Sequence, residues 1–318
     1  MKMTAKKTYL IASLSLFIVV LMTFISKYLL GFFFTGEGLS ADDYVWIRQI
    51  VIMYIIAIPA GMGMLCFLPR SAPEKRSLKF SEFLRFTLAC YPLLVVGSLI
   101  GRFLSMIFTL GKGLFDPMTD LMLSNKSPLM YIVAIIVAPV FEELLFRKFL
   151  IDRTVKYGEK TAILFSALTF GIFHANLSQI FFAAAVGLVF AYVYVRTGKI
   201  RYTIFMHMII NAISSASTAI ISNTVDIKAL LSSMRSGDLP ELSSLLVPML
   251  VIFAVSAVTN GLTAAGIVML VKTIRRLKFN QAEFEIQKGE IINTVYLNVG
   301  FIAFAAYCLI KTVLNLMG

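Results

Sequence analysis

The chain is poor in charge, in histidine and in cysteine. Asp, Glu, Lys and Arg make up 14% of its 318 residues, against about 25% in an ordinary soluble domain. With 59% hydrophobic residues and a mean hydropathy of +0.87, it cannot cover itself with polar surface, which excludes a soluble globular protein. The three cysteines, Cys66, Cys90 and Cys308, all fall in apolar runs. Three buried cysteines give neither a disulfide framework nor a metal spacing, so packing is their expected role. H-E-x-x-H does not occur. No internal repeat stands out, which lowers a transporter built from repeated halves. The first apolar run is too long for a cleavable signal, and Lys27 followed by aromatics is no small-residue cleavage site.

What the chain does have is nine apolar runs, at about 8–30, 45–68, 84–108, 128–148, 161–175, 178–195, 202–222, 244–271 and 291–314. A membrane span needs roughly 20 such residues. Runs of this length form helices in a bilayer and exclude a barrel. The expected fold is all-α: a polytopic membrane helix bundle of eight to nine transmembrane helices around an intramembrane polar site. The fifth run is short, and the turn after it, Ala175-Asn176-Leu177, is tight, as a broken or re-entrant helix would be. Three parts are expected: N-terminal transmembrane helices over 1–127, core helices over 128–222, and C-terminal transmembrane helices over 223–318. Residues 223–243 are a longer polar stretch, and 272–290 read as an interfacial segment.

The net charge of +12 does not point to nucleic acid, because its distribution follows the loops. The N-terminus and the stretches 69–85, 147–160, 196–201 and 272–288 hold 21 of the 29 Lys and Arg. Alternate loops are therefore basic, which places the N-terminus in the cytoplasm and, with nine spans, the C-terminus outside. Short loops and the lack of a retention signal favour a bacterial plasma membrane. Asn125-Lys126-Ser127 fits a glycosylation sequon, a match common by chance.

Against this background the polar residues inside the runs stand out. Glu142-Glu143-Leu144-Leu145-Phe146-Arg147 ends the fourth run. A charge near the middle of a membrane helix costs at least ~2.5–3.5 kcal/mol on insertion scales. Glu143 and Arg147 are four apart and share a helical face, acid before base. Arg147 can thus neutralise Glu143 and leave Glu142 to face something else. Pro139 removes one backbone hydrogen bond and leaves a carbonyl to be satisfied locally. The only histidines are His174, one turn after Phe170 in the fifth run, and His207, one turn before Asn211 in the seventh. Each group alone has a bland explanation: a structural ion pair with a snorkelling glutamate, a hydrogen-bonded core imidazole, or polar glue between helices. Together they change the odds. At ~1.5 Å rise per residue, all four can lie in the cytoplasmic half of the bilayer. A carboxylate, two imidazoles and an amide supply a base for water and donors for an oxyanion.

The ordered triple E-E-x-x-x-R, F-x-x-x-H and H-x-x-x-N, in successive apolar helices, resembles the CPBP family of CAAX-prenyl endoproteases, bacteriocin-processing and Abi proteins. The resemblance covers about 128–222. It implies an intramembrane glutamic endopeptidase acting on a membrane-associated, prenylated or precursor peptide. By motif position, Glu142 with His174 would activate water, His207 and Asn211 would stabilise the oxyanion, and Glu143 and Arg147 would support the site. No cofactor is expected. The rival chemistry is zinc held by Glu142, His174 and His207, a legitimate open ligand set. The rival class is a membrane scaffold, immunity factor or regulator that does not cleave. Expected partners are membrane lipid, a peptide or membrane-protein substrate and a regulatory membrane protein, and no nucleic acid.

Overall fold

A computed structural model describes residues 3–109, 121, 125, 127–225, 233, 236 and 242–317. Most of the polar stretch 223–243 lies outside the described residues. Among the described residues, nine helices follow the nine apolar runs: α1 (Ala5–Phe33), α2 (Ala41–Leu65), α3 (Phe80–Phe108), α4 (Leu129–Tyr157), α5 (Glu159–Phe173), α6 (Leu177–Thr197), α7 (Ile200–Thr224), α8 (Leu242–Ile274) and α9 (Val299–Met317). No strand is present among the described residues. Eight of the helices are long and apolar enough to cross a membrane. The exception is α5, whose 15 residues span ~22 Å against a hydrocarbon core of ~30 Å. It forms a hairpin with α6 through the tight turn at Ala175, so the described residues hold eight helices of spanning length and one shorter arm. The protein is an all-α, multi-pass membrane protein.

Helix ends follow the local sequence. Thr4 caps α1 through the Lys7 amide, Ser40 caps α2 through the Asp43 amide, and Asn176 caps α6 through the Ser178 amide. These side-chain oxygens take up amides that would otherwise lack partners in the first turn. Two helices widen into π turns just before a proline. In α2, Ile50–Ala57 is π-helical ahead of Pro59; in α4, Val133–Val137 is π-helical ahead of Pro139. A proline ring crowds the preceding turn and lacks an N–H, and widening that turn relieves both conflicts.

Helices α4 to α7 form the centre. On one side α1 packs against α2 and α9, and on the other α3 packs against α6 and α8. The α3–α6 contact is close. A Cβ on Gly97 would lie 2.4 Å from the Phe182 Cα, and one on Gly101 would lie 2.6 Å from the Leu177 carbonyl oxygen. Small residues four apart let two membrane helices approach backbone to backbone. Gly97→Ala should therefore destabilise the fold by about 1–3 kcal/mol, as overpacking does. Thermal unfolding in detergent measures this, and an unchanged midpoint would show that the helices separate freely.

The basic segments meet at one end of the molecule. Tyr157 donates to the Met3 carbonyl at 2.7 Å, and the Ser71 amide donates to the Asp152 carbonyl at 2.6 Å. The Arg76 amide bonds the Thr197 carbonyl, while Arg196 pairs with Glu159. Residues 284–286 run extended beside α4, with the Phe284 amide on the Lys156 carbonyl and the Ile286 amide on the Tyr157 carbonyl. Loops far apart in sequence are thus stitched into one layer, in line with the alternation of basic loops. At this end Cys66 is exposed at the terminus of α2, whereas Cys90 and Cys308 are buried. Cys66 is therefore not the packing residue expected of it, because α2 ends there and the chain turns out of the bundle. At the other end Asn125 is buried, accepting from the Trp46 indole at 2.9 Å and donating to Asp42 at 3.1 Å. These bonds occupy the amide a glycan would need.

Candidate functional site

Glu142 and Glu143 sit midway along α4, about 20 Å from either end at ~1.5 Å per residue. Two π turns, Val133–Val137 and Leu144–Phe149, bracket the short α-helical segment Ala138–Glu143 that carries them. A π turn offsets the backbone carbonyls, and neighbouring helices fill the gaps. Asn211 of α7 donates through Nδ2 to the Ala134 carbonyl at 2.8 Å. In π register that carbonyl would bond residue 139, which is a proline without an N–H. Asn211 therefore supplies the partner that Pro139 removes. Ser166 of α5 donates to the Phe146 carbonyl at 2.9 Å.

Glu143 and Arg147 are both fully buried, with Nε of Arg147 3.3 Å from Oε2 of Glu143. This is the ion pair expected from their spacing. It is held more by charge than by alignment, since neither of these two atoms has a well-directed hydrogen bond. The rest of the guanidinium is stabilised by ring faces. Its Cζ lies 4.3 Å from the Phe170 centroid and 5.5 Å from that of Phe190, and Nη2 reaches the Gly187 carbonyl at 3.5 Å. Such cation–π contacts gain strength when water is excluded. Gly187 provides the room, because a Cβ there would stand 3.3 Å from Nη2.

The second oxygen of Glu143 holds His207. Nδ1 of His207 is 3.1 Å from Oε1 of Glu143, and Nε2 is 3.9 Å from Oε2 of Glu142. A carboxylate only accepts, so Nδ1 carries a proton and Nε2 is turned toward Glu142. Arg147, Glu143, His207 and Glu142 form one chain of contacts running from the bundle centre to the carboxylate that Arg147 does not pair. Glu142 is only 9% exposed and His207 only 7%, so this chain is shielded from bulk solvent.

His174 follows the last residue of α5 and lies across an aromatic ring from this chain. Phe170 meets His174 edge-on at 5.1 Å and His207 edge-on at 5.9 Å. Among the described residues, no hydrogen bond or ion pair joins His174 to Glu142. The four motif residues are thus gathered in one region of the bundle. The direct carboxylate–imidazole contact, however, is Glu142 with His207 rather than with His174. No group of three His, Cys, Asp or Glu side chains among the described residues is placed to hold a metal ion.

Residues 124–213, which contain all of these motif residues, match the profile of the family described as type II CAAX prenyl endopeptidase Rce1-like. The central helices are similar to that family over this stretch. A stretch of 109 residues is also 36% identical to YdiL of Bacillus subtilis (strain 168), described as a candidate membrane peptidase. That alignment takes in 33% of this chain and 43% of the relative, so the similarity spans under half the relative's length. No solved structure matches the chain. The similarity agrees with the CPBP resemblance of the three motifs and covers α4 to the middle of α7.

Three features around this site were not apparent from the motifs. Phe190 stacks obliquely on His207 at 5.3 Å while also facing Arg147. Gly187, one turn earlier on α6, makes the space. Tyr54 of α2 packs on Phe141, beside Glu142, at 5.4 Å between ring centroids. A glycine three residues before a phenylalanine was a weak signal for the first two. Nothing in the sequence pointed to Tyr54, which lies 88 residues from Glu142.

Proposed function

We propose that the protein is an intramembrane endopeptidase of the glutamic type, with Glu142 as the base. The observation that carries the reading is the buried contact chain Arg147–Glu143–His207–Glu142, in which one carboxylate is paired and the other faces an imidazole. A water beside Glu142 gives it a proton as its oxygen attacks the scissile carbonyl carbon. The carbonyl oxygen becomes the oxyanion. It accepts from His207 Nε2, which must carry a proton for this role, and from the second N–H of Asn211, whose first is spent on Ala134. His174, across Phe170, orders the water from the other side. Glu142 then returns the proton to the leaving nitrogen as the C–N bond breaks, giving an acid and an amine. Glu143 and Arg147 hold His207 in its orientation, much as a buried acid orients the histidine of a hydrolase and stabilises its charged form.

Metal-free hydrolysis is part of this reading. Asn211 is a natural neutral donor and a poor zinc ligand. The basic end faces the cytoplasm, by the charge rule. The substrate is a peptide or membrane-protein segment that reaches the level of Glu142 from the lipid or the cytoplasmic side. A comparison of peptides released from membranes containing wild-type or Glu142→Gln protein tests the activity and reports the substrates. Identical peptide profiles, with cellular function intact, would favour a scaffold or regulatory role instead.

Two measurements test the finer assignments. Asn211→Ala should lower turnover by about 100- to 1000-fold as an oxyanion donor is lost. Metal analysis of the purified active protein should find no stoichiometric zinc, and chelators should leave turnover unchanged. One zinc per chain, with activity removed by chelation and restored by metal, would replace the glutamic mechanism by a metal one.

A further inference from the structure

The last helix reaches back to the turn that carries His174. Nδ2 of Asn315, on α9, donates to the Ala175 carbonyl at 3.0 Å. Ala175 has φ +46°, and it is the one non-glycine residue with positive φ among those described. A residue with a Cβ pays for that conformation and keeps it only where the surroundings hold it.

The geometry around the turn is otherwise tight. Below it the arms of the hairpin are in backbone contact: a Cβ on Gly171 would be 2.6 Å from the Ile180 carbonyl oxygen and 2.7 Å from the Ala184 Cβ. The His174 amide bonds the Gly171 carbonyl and the Ala175 amide bonds the Ile172 carbonyl, so α5 closes with short i→i−3 bonds. Beyond the turn, Asn176 caps α6. The apex of the turn is Ala175, with its left-handed backbone. Its carbonyl is the atom that Asn315 holds. Losing that hold would let φ and ψ of Ala175 relax together, and His174, one peptide away, would shift with the turn. The anchoring helix is itself packed in the bundle: α9 lies on α1, where a Cβ on Gly300 would be 2.8 Å from the Leu14 amide nitrogen.

We propose that Asn315 is a positioning residue for His174: by holding the Ala175 carbonyl, the last helix sets where the imidazole points. This gives α9, which lies outside the Rce1-like segment, a part in the site. Its catalytic consequence rests on the peptidase reading, but the tether does not. Asn315 also has a reason to be polar. Its amide in an apolar helix finds a carbonyl partner, and that carbonyl ends a short helix whose own turn cannot satisfy it.

The test compares wild type, Asn315→Leu and Asn315→Gln as full-length protein in detergent. Leucine keeps the volume and removes the donor, while glutamine keeps an amide with longer reach. Carbethoxylation of each histidine by diethylpyrocarbonate is followed by peptide mass, which requires no activity. In Asn315→Leu, His174 should be modified several-fold faster, with His207 unchanged as the internal reference. Turnover should fall by about 10- to 100-fold in kcat, as a small misplacement of a reacting group does, with KM little altered. Asn315→Gln should fall between the two proteins on both readouts. Should Asn315→Leu fail to accumulate, Asn315→Ser carries the same comparison with less disturbance. Unchanged His174 labelling would overturn the tether, and so would equal acceleration at both histidines, which would mean general loosening. Wild-type protein without turnover on any substrate would remove the peptidase reading and leave the labelling result to decide the tether alone.

Discussion

Glu142→Gln should reduce turnover by about 10²- to 10⁴-fold, the range a positioned general base contributes, while the protein still folds. Glutamine keeps the shape of the side chain and can still bond to a water, but it cannot take the proton. Glu142 is not the partner of Arg147, so neutralising it leaves the buried ion pair intact. His207 stays oriented by Glu143 at 3.1 Å. Little is therefore expected in the thermal midpoint, and removing a buried charge can even raise it. Kinetics of the purified protein with a substrate identified from the membrane peptides, read beside a melting curve, gives both numbers. Retained turnover in Glu142→Gln would mean that another group accepts the proton, and the role assigned to this carboxylate would be lost.

Arg147→Ala should be destabilising by roughly 3–5 kcal/mol, because it strands a carboxylate with no water to replace the lost cation. Glu143 would keep His207 at 3.1 Å but lose its guanidinium partner. The space between Phe170 and Phe190 would also empty. The expected signs are low accumulation in the membrane and an early melting transition. Removing both charges with Glu143→Gln and Arg147→Met should recover part of the stability, since no uncompensated charge remains. It should not recover activity, because His207 loses the carboxylate that orients it and stabilises its charge. A fully stable but inactive Arg147→Ala would show that the arginine contacts substrate rather than supporting the fold.

The two substitutions are complementary tests of one arrangement. Both acids are adjacent in sequence, yet they are expected to respond in opposite ways: one carries function with little stability, the other stability and orientation together. That difference comes from where each points. Residues 142 and 143 differ by about 100° around a helix, and only the face of Glu143 meets Arg147 one turn later.

How much of this was legible beforehand varies residue by residue. The Glu143–Arg147 pair follows from four-residue spacing alone, because it is made within one helix. The unsatisfied carbonyl near Pro139 was also predictable, since proline lacks an N–H wherever it sits. Its partner was not: Asn211 is 77 positions from Ala134, and only the packing of α7 on α4 brings them together. The expected use of Asn211 as a free donor therefore has to share that amide with a structural bond. The pairing of the histidines was likewise out of reach. Motif position put His174 with Glu142, whereas the packing puts His207 there and sets Phe170 between the two imidazoles.

Composition and charge, by themselves, determined that the chain lives in a membrane, is helical, and has its basic loops on one side. These are properties of solvent transfer and local hydrogen bonding, which each segment settles on its own. The tertiary structure decided the rest. It made the fifth apolar run the short arm of a hairpin with α6, so eight of the nine described helices have spanning length. It buried Arg147 between two rings and a glycine of another helix, and it joined His207 to both acids of α4. It also tied the turn after His174 to α9. Each of these depends on which helix faces which. Hydropathy cannot report that, because lipid and protein neighbours are equally apolar to a leucine.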